Sequence, residues 1–245
     1  MGILGGGGHA ELVVADHRVC IPVPGCLDWV QAAAIPEAFL TAFDALLLQG
    51  GLRAGEACLI QAAASGVGTA ALQIASLAGA AAVGLCRTSV KRERLRDEGH
   101  ERILDPAGDD VAGEIRRATA AGGINLVLDL VGPSAWSLYA KVLRERGRIV
   151  LIGLLGGPRA EVNASFLLGR RATVTGSVLR SRSIDEKAAL TRAFTDRLLP
   201  RFEEGRLSAR VDRTFGLAQV ADAHAVMERN ENIGKIVLTI EPRRS

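Results

Sequence analysis

The chain has 245 residues, 48% of them hydrophobic and 23% charged, with a formal net charge of +3 at pH 7. That is enough apolar material for a sizeable core in one large domain, or in one domain and part of a second. Aromatics make up only 4% and the arginines are scattered, so no basic stripe interleaved with aromatics exists and nucleic-acid binding is disfavoured. Cys20, Cys26, Cys58 and Cys86 form no C-x-x-C pair and have no metal-like spacing with His9, His17, His100 or His224, so neither zinc nor a disulfide framework is expected. The opening Met1-Gly2-Ile3-Leu4-Gly5-Gly6 lacks the basic and apolar regions of a signal peptide. The weakly polar stretch 69–86 is broken by Gln73, Ser76, Gly79 and Gly84, and reads as helix, turn and strand rather than a membrane span. A cytoplasmic protein without a membrane or nucleic-acid partner is the expectation.

In chain order, residues 1–35 hold a glycine run, the short apolar stretch Leu12-Val13-Val14 and the turn Pro22-Val23-Pro24-Gly25. Residues 36–177 alternate short apolar runs with amphipathic stretches. The runs, predicted as strands, are 57–62, 81–86, 102–104, 125–130, 148–153 and 173–178; helices are predicted over 68–78, 90–98, 111–120 and 135–143. Alternating strands and helices with short Gly-containing turns predict an α/β fold, and six strands match a complete Rossmann doubly wound parallel sheet. After 178 the rhythm changes: one long helix over 181–204, a strand over 211–215, a helix over 217–229 and a strand over 235–240. Neither end is long enough for a domain, so the two ends are expected to pair into one incomplete second domain. The tail Pro242-Arg243-Arg244-Ser245 is expected to fray.

The strongest motif is Ala62-Ala63-Ala64-Ser65-Gly66-Val67-Gly68-Thr69-Ala70-Ala71, in which an apolar strand turns directly into a helix. Gly66, Gly68 and Ala71 satisfy the small-residue form G-x-G-x-x-A of the dinucleotide fingerprint. Glycine permits the tight turn and the approach of a pyrophosphate to the backbone, and Ala71 lets the helix pack on the strand. Amide N–H groups of Ser65, Gly66, Val67 and Gly68 at the helix start then face the phosphates. Cofactor choice is made about twenty residues on, where a carboxylate would hold the ribose 2′-hydroxyl of NAD. Here stands Cys86-Arg87-Thr88-Ser89-Val90-Lys91-Arg92, with no acid before Glu93. Arg87 and Lys91 suit a 2′-phosphate and Thr88 or Ser89 can donate to it, so NADPH is the predicted cofactor. Gly132 after the fourth strand, and Gly153, Leu154 and Leu155 after the fifth, suit a flat ring lying close to backbone. Glu37 and Asp129 read equally well as polar cleft residues or as structural hydrogen-bond partners.

With these motifs assembled, the chain resembles the zinc-free quinone oxidoreductase branch, zeta-crystallin-like, of the medium-chain dehydrogenases/reductases. The resemblance rests on 62–73, on Ile35-Pro36-Glu37-Ala38-Phe39-Leu40-Thr41-Ala42-Phe43, on 151–157, on Ser177-Val178-Leu179-Arg180-Ser181-Arg182 and on Asn232-Ile233-Gly234-Lys235-Ile236-Val237-Leu238. It implies NADPH-dependent reduction of a quinone, in a cleft between cofactor domain and catalytic domain. It places Thr41 near the nicotinamide ribose, Leu154 and Leu155 near the nicotinamide, and Asn232 and Lys235 toward the cofactor's far side. It also implies a homodimer paired through edge strands such as 173–178. On this reading 1–35 is a remnant of a GroES-like catalytic domain, 36–177 the Rossmann NADPH-binding domain, and 178–245 the return to the catalytic domain. The family's first ninety or so residues, with its substrate-side Tyr and Asn, would lie upstream of Met1. Pro106 stands where relatives often carry a cofactor-side Tyr.

No G-x-S-x-G elbow and no Walker A ending is present, which disfavours a hydrolase and a P-loop protein. No catalytic acid is assigned, because a quinone's product oxygens are weakly basic and take protons from water. Two other readings stay open: an enoyl reductase on α,β-unsaturated thioesters, and a non-catalytic NADPH-binding protein.

Overall fold

The computed structural model describes residues 1–240, so the expected frayed end, Pro242 to Ser245, lies outside the described residues. The chain divides into two compact units. One gathers Met1–Thr41, Ser65–Ala70 and the residues from Val178 onward; the other gathers Ala42–Ala64 and Ala71–Ser177.

The first long element, α1 (Trp29–Phe43), continues as a π-helical stretch, Asp44–Gln49, and no helix was expected there. Pro36 lies inside α1 and removes one backbone donor. Burial outweighs that loss, because Ala34, Ile35, Ala38, Phe39 and Leu40 are all at most 2% exposed. Trp29–Gln49 is, by length and composition, long and apolar enough to cross a membrane, and 67% of its most apolar window is buried inside the protein.

The unit built from Ala42–Ala64 and Ala71–Ser177 holds a six-stranded sheet. Its strands are β1 (Ala57–Ile60), β2 (Ala81–Leu85), β3 (Ile103–Leu104), β4 (Ile124–Asp129), β5 (Leu143–Leu151) and β6 (Thr173–Gly176). Every neighbour pair is parallel and the order is β3-β2-β1-β4-β5-β6, the doubly wound order with its reversal between β1 and β4. The connecting helices are α2 (Gly66–Leu77), α3 (Ser89–Asp97), α4 (Val111–Arg117), α5 (Trp136–Val142) and α6 (Ser165–Arg170). Leu59, Val83, Leu85, Ile124, Val127 and Ile149 form the sheet's share of a core completed by Ile115, Tyr139 and Val142. The central strands β1 and β2 carry no polar side chain, as helices covering both faces of a parallel sheet require.

Two boundaries differ from expectation. The fifth strand begins at Leu143 rather than near 148. Its pairing with β4 jumps from Ile124↔Leu143 to Leu126↔Arg148, so exposed Arg144, Glu145 and Arg146 bulge out, with Arg146 in the left-handed region. The expected helix over 135–143 begins as a 3₁₀ turn, Pro133–Ala135, and is helical only over α5.

In the other unit, α7 (Ile184–Arg197) opens with a capping box between Ser183 and Glu186, and α8 (Leu199–Glu203) follows it. The single helix expected over 181–204 is thus two. Pro200 supplies no N–H to the preceding turn, so the chain restarts with Pro in the first turn of α8. Phe202 of α8 packs edge-on against Phe39 with ring centroids 4.8 Å apart. Next come β7 (Val211–Gly216), a 3₁₀ turn, α9 (Val220–Glu228) and β8 (Lys235–Thr239). Strands β7 and β8 form a parallel pair, a small β-α-β unit. Leu12 and Val14, the apolar stretch noted in the first zone, are 90% and 100% exposed and belong to no regular element.

Candidate cofactor site

The fingerprint turn leaves β1 through Gln61 and Ala62, and Ala62 adopts φ +48°, a left-handed conformation that strains any residue with a Cβ. Ala63 donates its N–H to the Leu85 carbonyl at 2.9 Å, tying the turn to the end of β2. A Cβ on Gly84 would stand 2.8 Å from that of Ala63, so the close packing needs glycine there. Ser65 caps α2: its Oγ accepts the Gly68 N–H at 3.0 Å and its carbonyl accepts the Thr69 N–H at 2.9 Å. The Gly68 amide is therefore spent on Ser65 rather than offered to a ligand. The helix leaves the Gly66 and Val67 amides without an intrahelical acceptor, and the Ser65 hydroxyl proton remains to donate. Gly234 forms a bridge with Ser65, and the Asn232 Nδ2 donates to the Gly234 carbonyl at 2.8 Å. A Cβ on Gly66 would fall 2.5 Å from Cδ of Lys235, so the Lys235 stem occupies the space this glycine leaves. Ser65, Gly66, Asn232 and Lys235, far apart in sequence, are thus brought together around one helix start.

At the end of β2, Arg87 and Thr88 are exposed. Thr88 is the N-cap of α3 in extended conformation, and its side chain makes no capping bond, which leaves the hydroxyl for other use. Lys91, expected beside Arg87, is instead 6% exposed on the buried face of α3. Helical geometry explains this: Leu95, at i+4 from Lys91, is fully buried, so both share the face that packs down. Arg92, which carried no expectation, donates through Nη1 to the carbonyls of Cys86 at 3.0 Å and Arg87 at 2.7 Å, and pairs with Asp105 at 2.8 Å.

The loops after β4 and β5 are built on Asp129, which is 0% exposed. Its Oδ1 accepts the Val131 and Gly132 N–H groups and the Tyr139 hydroxyl, each at 2.9 Å, and its Oδ2 accepts Trp136 Nε1–H at 3.1 Å. Gln61 Nε2 donates to the Tyr139 oxygen at 3.0 Å, so β1, β4 and α5 share one buried polar network. Burial, reinforced by Asp129, pushes the Tyr139 hydroxyl well above the ordinary phenol range, keeping it a donor. Of the two readings of Asp129, the structural one holds. Gly132 sits at φ +93°, and a Cβ there would meet Leu154 Cδ2 at 2.9 Å. The Leu155 and Gly156 amides donate to the Leu130 and Val131 carbonyls at 3.0 and 2.8 Å, strapping the two loops together. Gly132 and Gly153 are thereby joined with Leu154 and Leu155, whose side chains are 49% and 74% exposed.

Thr41 carries a buried Oγ1 without a hydrogen-bond partner, an orphan that a ligand hydroxyl would satisfy. Together with the cationic, donor-rich helix start of the same unit, this donor set fits the phosphate and ribose groups of a dinucleotide. Among the described residues no group of three or more His, Cys, Asp or Glu is arranged to hold a metal ion.

Comparison with known proteins agrees with this geometry. The zinc-binding dehydrogenase family matches residues 66–195. The chain is 34% identical, over 98% of its length, to the Spectinabilin polyketide synthase system protein NorB of Streptomyces orinoci, of which it covers 11%. It is 26% identical, again over 98% of its length, to Quinone oxidoreductase-like protein 2 of Bos taurus, of which it covers 69%. A crystal structure described as an NAD-dependent alcohol dehydrogenase superposes on 96% of the chain with a TM-score of 0.85 and 31% identity, the chain covering 66% of it. The chain thus spans about a tenth of the first relative and about two thirds of the others. A parallel sheet in doubly wound order, a G-x-G-x-x-A turn on its first strand and the family match over 66–195 together establish that the chain belongs to the zinc-binding dehydrogenase family, within the medium-chain dehydrogenase/reductase superfamily of oxidoreductases.

Proposed function

We propose that this chain binds NADPH and serves the reduction of a quinone or a related conjugated carbonyl compound. The observation that carries the cofactor half is the end of β2. Arg87 and Thr88 are exposed there, and the carboxylate beside them, Asp105, is already engaged by Arg92 at 2.8 Å. A ribose 2′-phosphate gains charge-assisted hydrogen bonds at such a place, whereas a bare ribose would have to compete with Arg92 for the Asp105 carboxylate. The Ser65 hydroxyl, the Gly66 and Val67 amides and the Lys235 ammonium supply donors and positive charge for a pyrophosphate. A reduced nicotinamide bound in this way would supply the hydride. Leu154 and Leu155 offer exposed aliphatic surface against which a flat ring would be held and from which it would displace water. Asp129 is no proton donor, because both its oxygens already accept hydrogen bonds. An acceptor whose reduced oxygens take protons from water suits such a site.

A second reading, enoyl reduction on an α,β-unsaturated thioester, draws support from the similarity to a polyketide synthase system protein. We further propose that the protein is a homodimer joined through the edge strand β6, which light scattering in solution tests. The cofactor reading is tested by titrating NADPH and NADH into the wild type and into Arg87→Ala. NADPH affinity should fall about tenfold or more in the variant, as loss of one charge-assisted bond implies. NADPH oxidation with a naphthoquinone, compared with a crotonyl thioester, then separates the two acceptors. Binding without turnover on either would make this a cofactor-binding protein, and no binding at all would refute the proposal.

A further inference from the structure

We infer that Arg92, clamped by Asp105, is the positioning residue for recognition of the 2′-phosphate; the inference rests on the NADPH reading above. Arg92 lies one turn into α3 with its side chain only 17% exposed, and a single terminal nitrogen serves three acceptors. They are the carbonyls of Cys86 and Arg87, at 3.0 and 2.7 Å, and the Asp105 carboxylate, at 2.8 Å. In a trans peptide the carbonyl and the amide hydrogen point in opposite directions. Two successive carbonyls drawn toward Arg92 therefore turn the Arg87 and Thr88 amides away from it, toward the open side of the β2–α3 turn. Among the described residues no acceptor meets either amide. Successive outward amides at a helix start form an anion-binding concavity, and Arg87 and the uncommitted Thr88 hydroxyl stand on the same turn.

Asp105 has two effects on this arrangement. It follows β3, so its bond to Arg92 holds α3 against the neighbouring strand end. It also offsets the Arg92 charge, and Arg92 in turn offsets the Asp105 carboxylate, which would otherwise repel a phosphate dianion. The residue expected to share this task, Lys91, is buried. The division of labour is then contact by Arg87 and Thr88, and placement by Arg92 and Asp105.

The test measures dissociation constants of NADPH and NADH, and of adenosine 2′,5′-bisphosphate and AMP as probes of the phosphate alone. The proteins are the wild type, Arg92→Ala, Arg92→Lys and Asp105→Asn, each checked for folding by circular dichroism. The expected result is an NADPH-over-NADH preference that collapses about tenfold or more in Arg92→Ala, with NADH affinity changed less than about twofold. Arg92→Lys should recover only part of it, since the shorter, more strongly hydrated ammonium does not reach the same three acceptors from the rigid plane in which the guanidinium holds its terminal nitrogen. A merely structural role would weaken both cofactors alike. A folded Arg92→Ala with the wild-type preference overturns the inference; if that variant does not fold, an unchanged preference in Asp105→Asn overturns it. A wild type without any NADPH preference overturns the cofactor reading itself, and this inference with it.

Discussion

The most searching test of the architecture is Asp129→Asn. The native carboxylate is 0% exposed and accepts four hydrogen bonds, three at Oδ1 and one at Oδ2. The amide is isosteric, so no cavity forms, but one of its two ends becomes a donor. If the amide oxygen takes the place of Oδ1, it keeps the Val131, Gly132 and Tyr139 bonds. The new NH₂ then faces Trp136 Nε1–H, donor against donor. One buried bond is lost, a donor is left unsatisfied, and the remaining bonds lose charge assistance, which together cost about 2–4 kcal/mol. Asp129→Ala abandons all four donors and costs about 3–5 kcal/mol, a large fraction of a typical domain's stability. Urea unfolding measures both values. Trp136 fluorescence reports the site directly in a Trp29→Phe background, since Trp29 and Trp136 are the only two tryptophans and Trp29 is 81% exposed. An Asp129→Asn variant within about 0.5 kcal/mol of wild type, with native Trp136 emission, would refute the view that this carboxylate organises the loops.

Other expectations are smaller in scale. Burial, assisted by Glu56, pushes the Cys58 thiol up to about 12. An unfolded cysteine ionises near 8.5, so this contribution to stability is intact below about pH 8.5 and is lost as pH rises toward 12. Relative to Cys58→Ala, the wild type should therefore lose about 3 kcal/mol between pH 8.5 and pH 11 in urea titrations; parallel curves would contradict this. Ala62→Gly relieves the left-handed backbone at φ +48° and should raise stability by about 1 kcal/mol, read as a higher Tm. Ser65→Ala removes the cap on α2 and should cost about 1 kcal/mol in thermal unfolding while also weakening NADPH binding. Intact stability with intact binding would show that the Ser65 hydroxyl does neither.

What the sequence determined by itself is the layout that local physics writes. Apolar runs near 57, 81, 124, 148 and 173, separated by amphipathic stretches, specify parallel strands and crossover helices, because each element must bury its own face. The turn 62–71 specifies its geometry through residue size, and its place after the first strand puts it at the order reversal between β1 and β4. Only the tertiary structure decided which polar groups meet. Gln61, Asp129 and Tyr139 lie on three elements, and nothing in their spacing shows that one oxygen joins them. Likewise Lys91 and Arg92 are adjacent basic residues on one helix, yet a single residue step of about 100° around the axis buries the first and sends the second to two carbonyls and Asp105. Gly66 and Lys235 are 169 positions apart, and only the fold lays the lysine stem over the glycine. Periodicity encodes which way a side chain faces, whereas hydrogen-bond partners depend on how distant elements come to lie side by side.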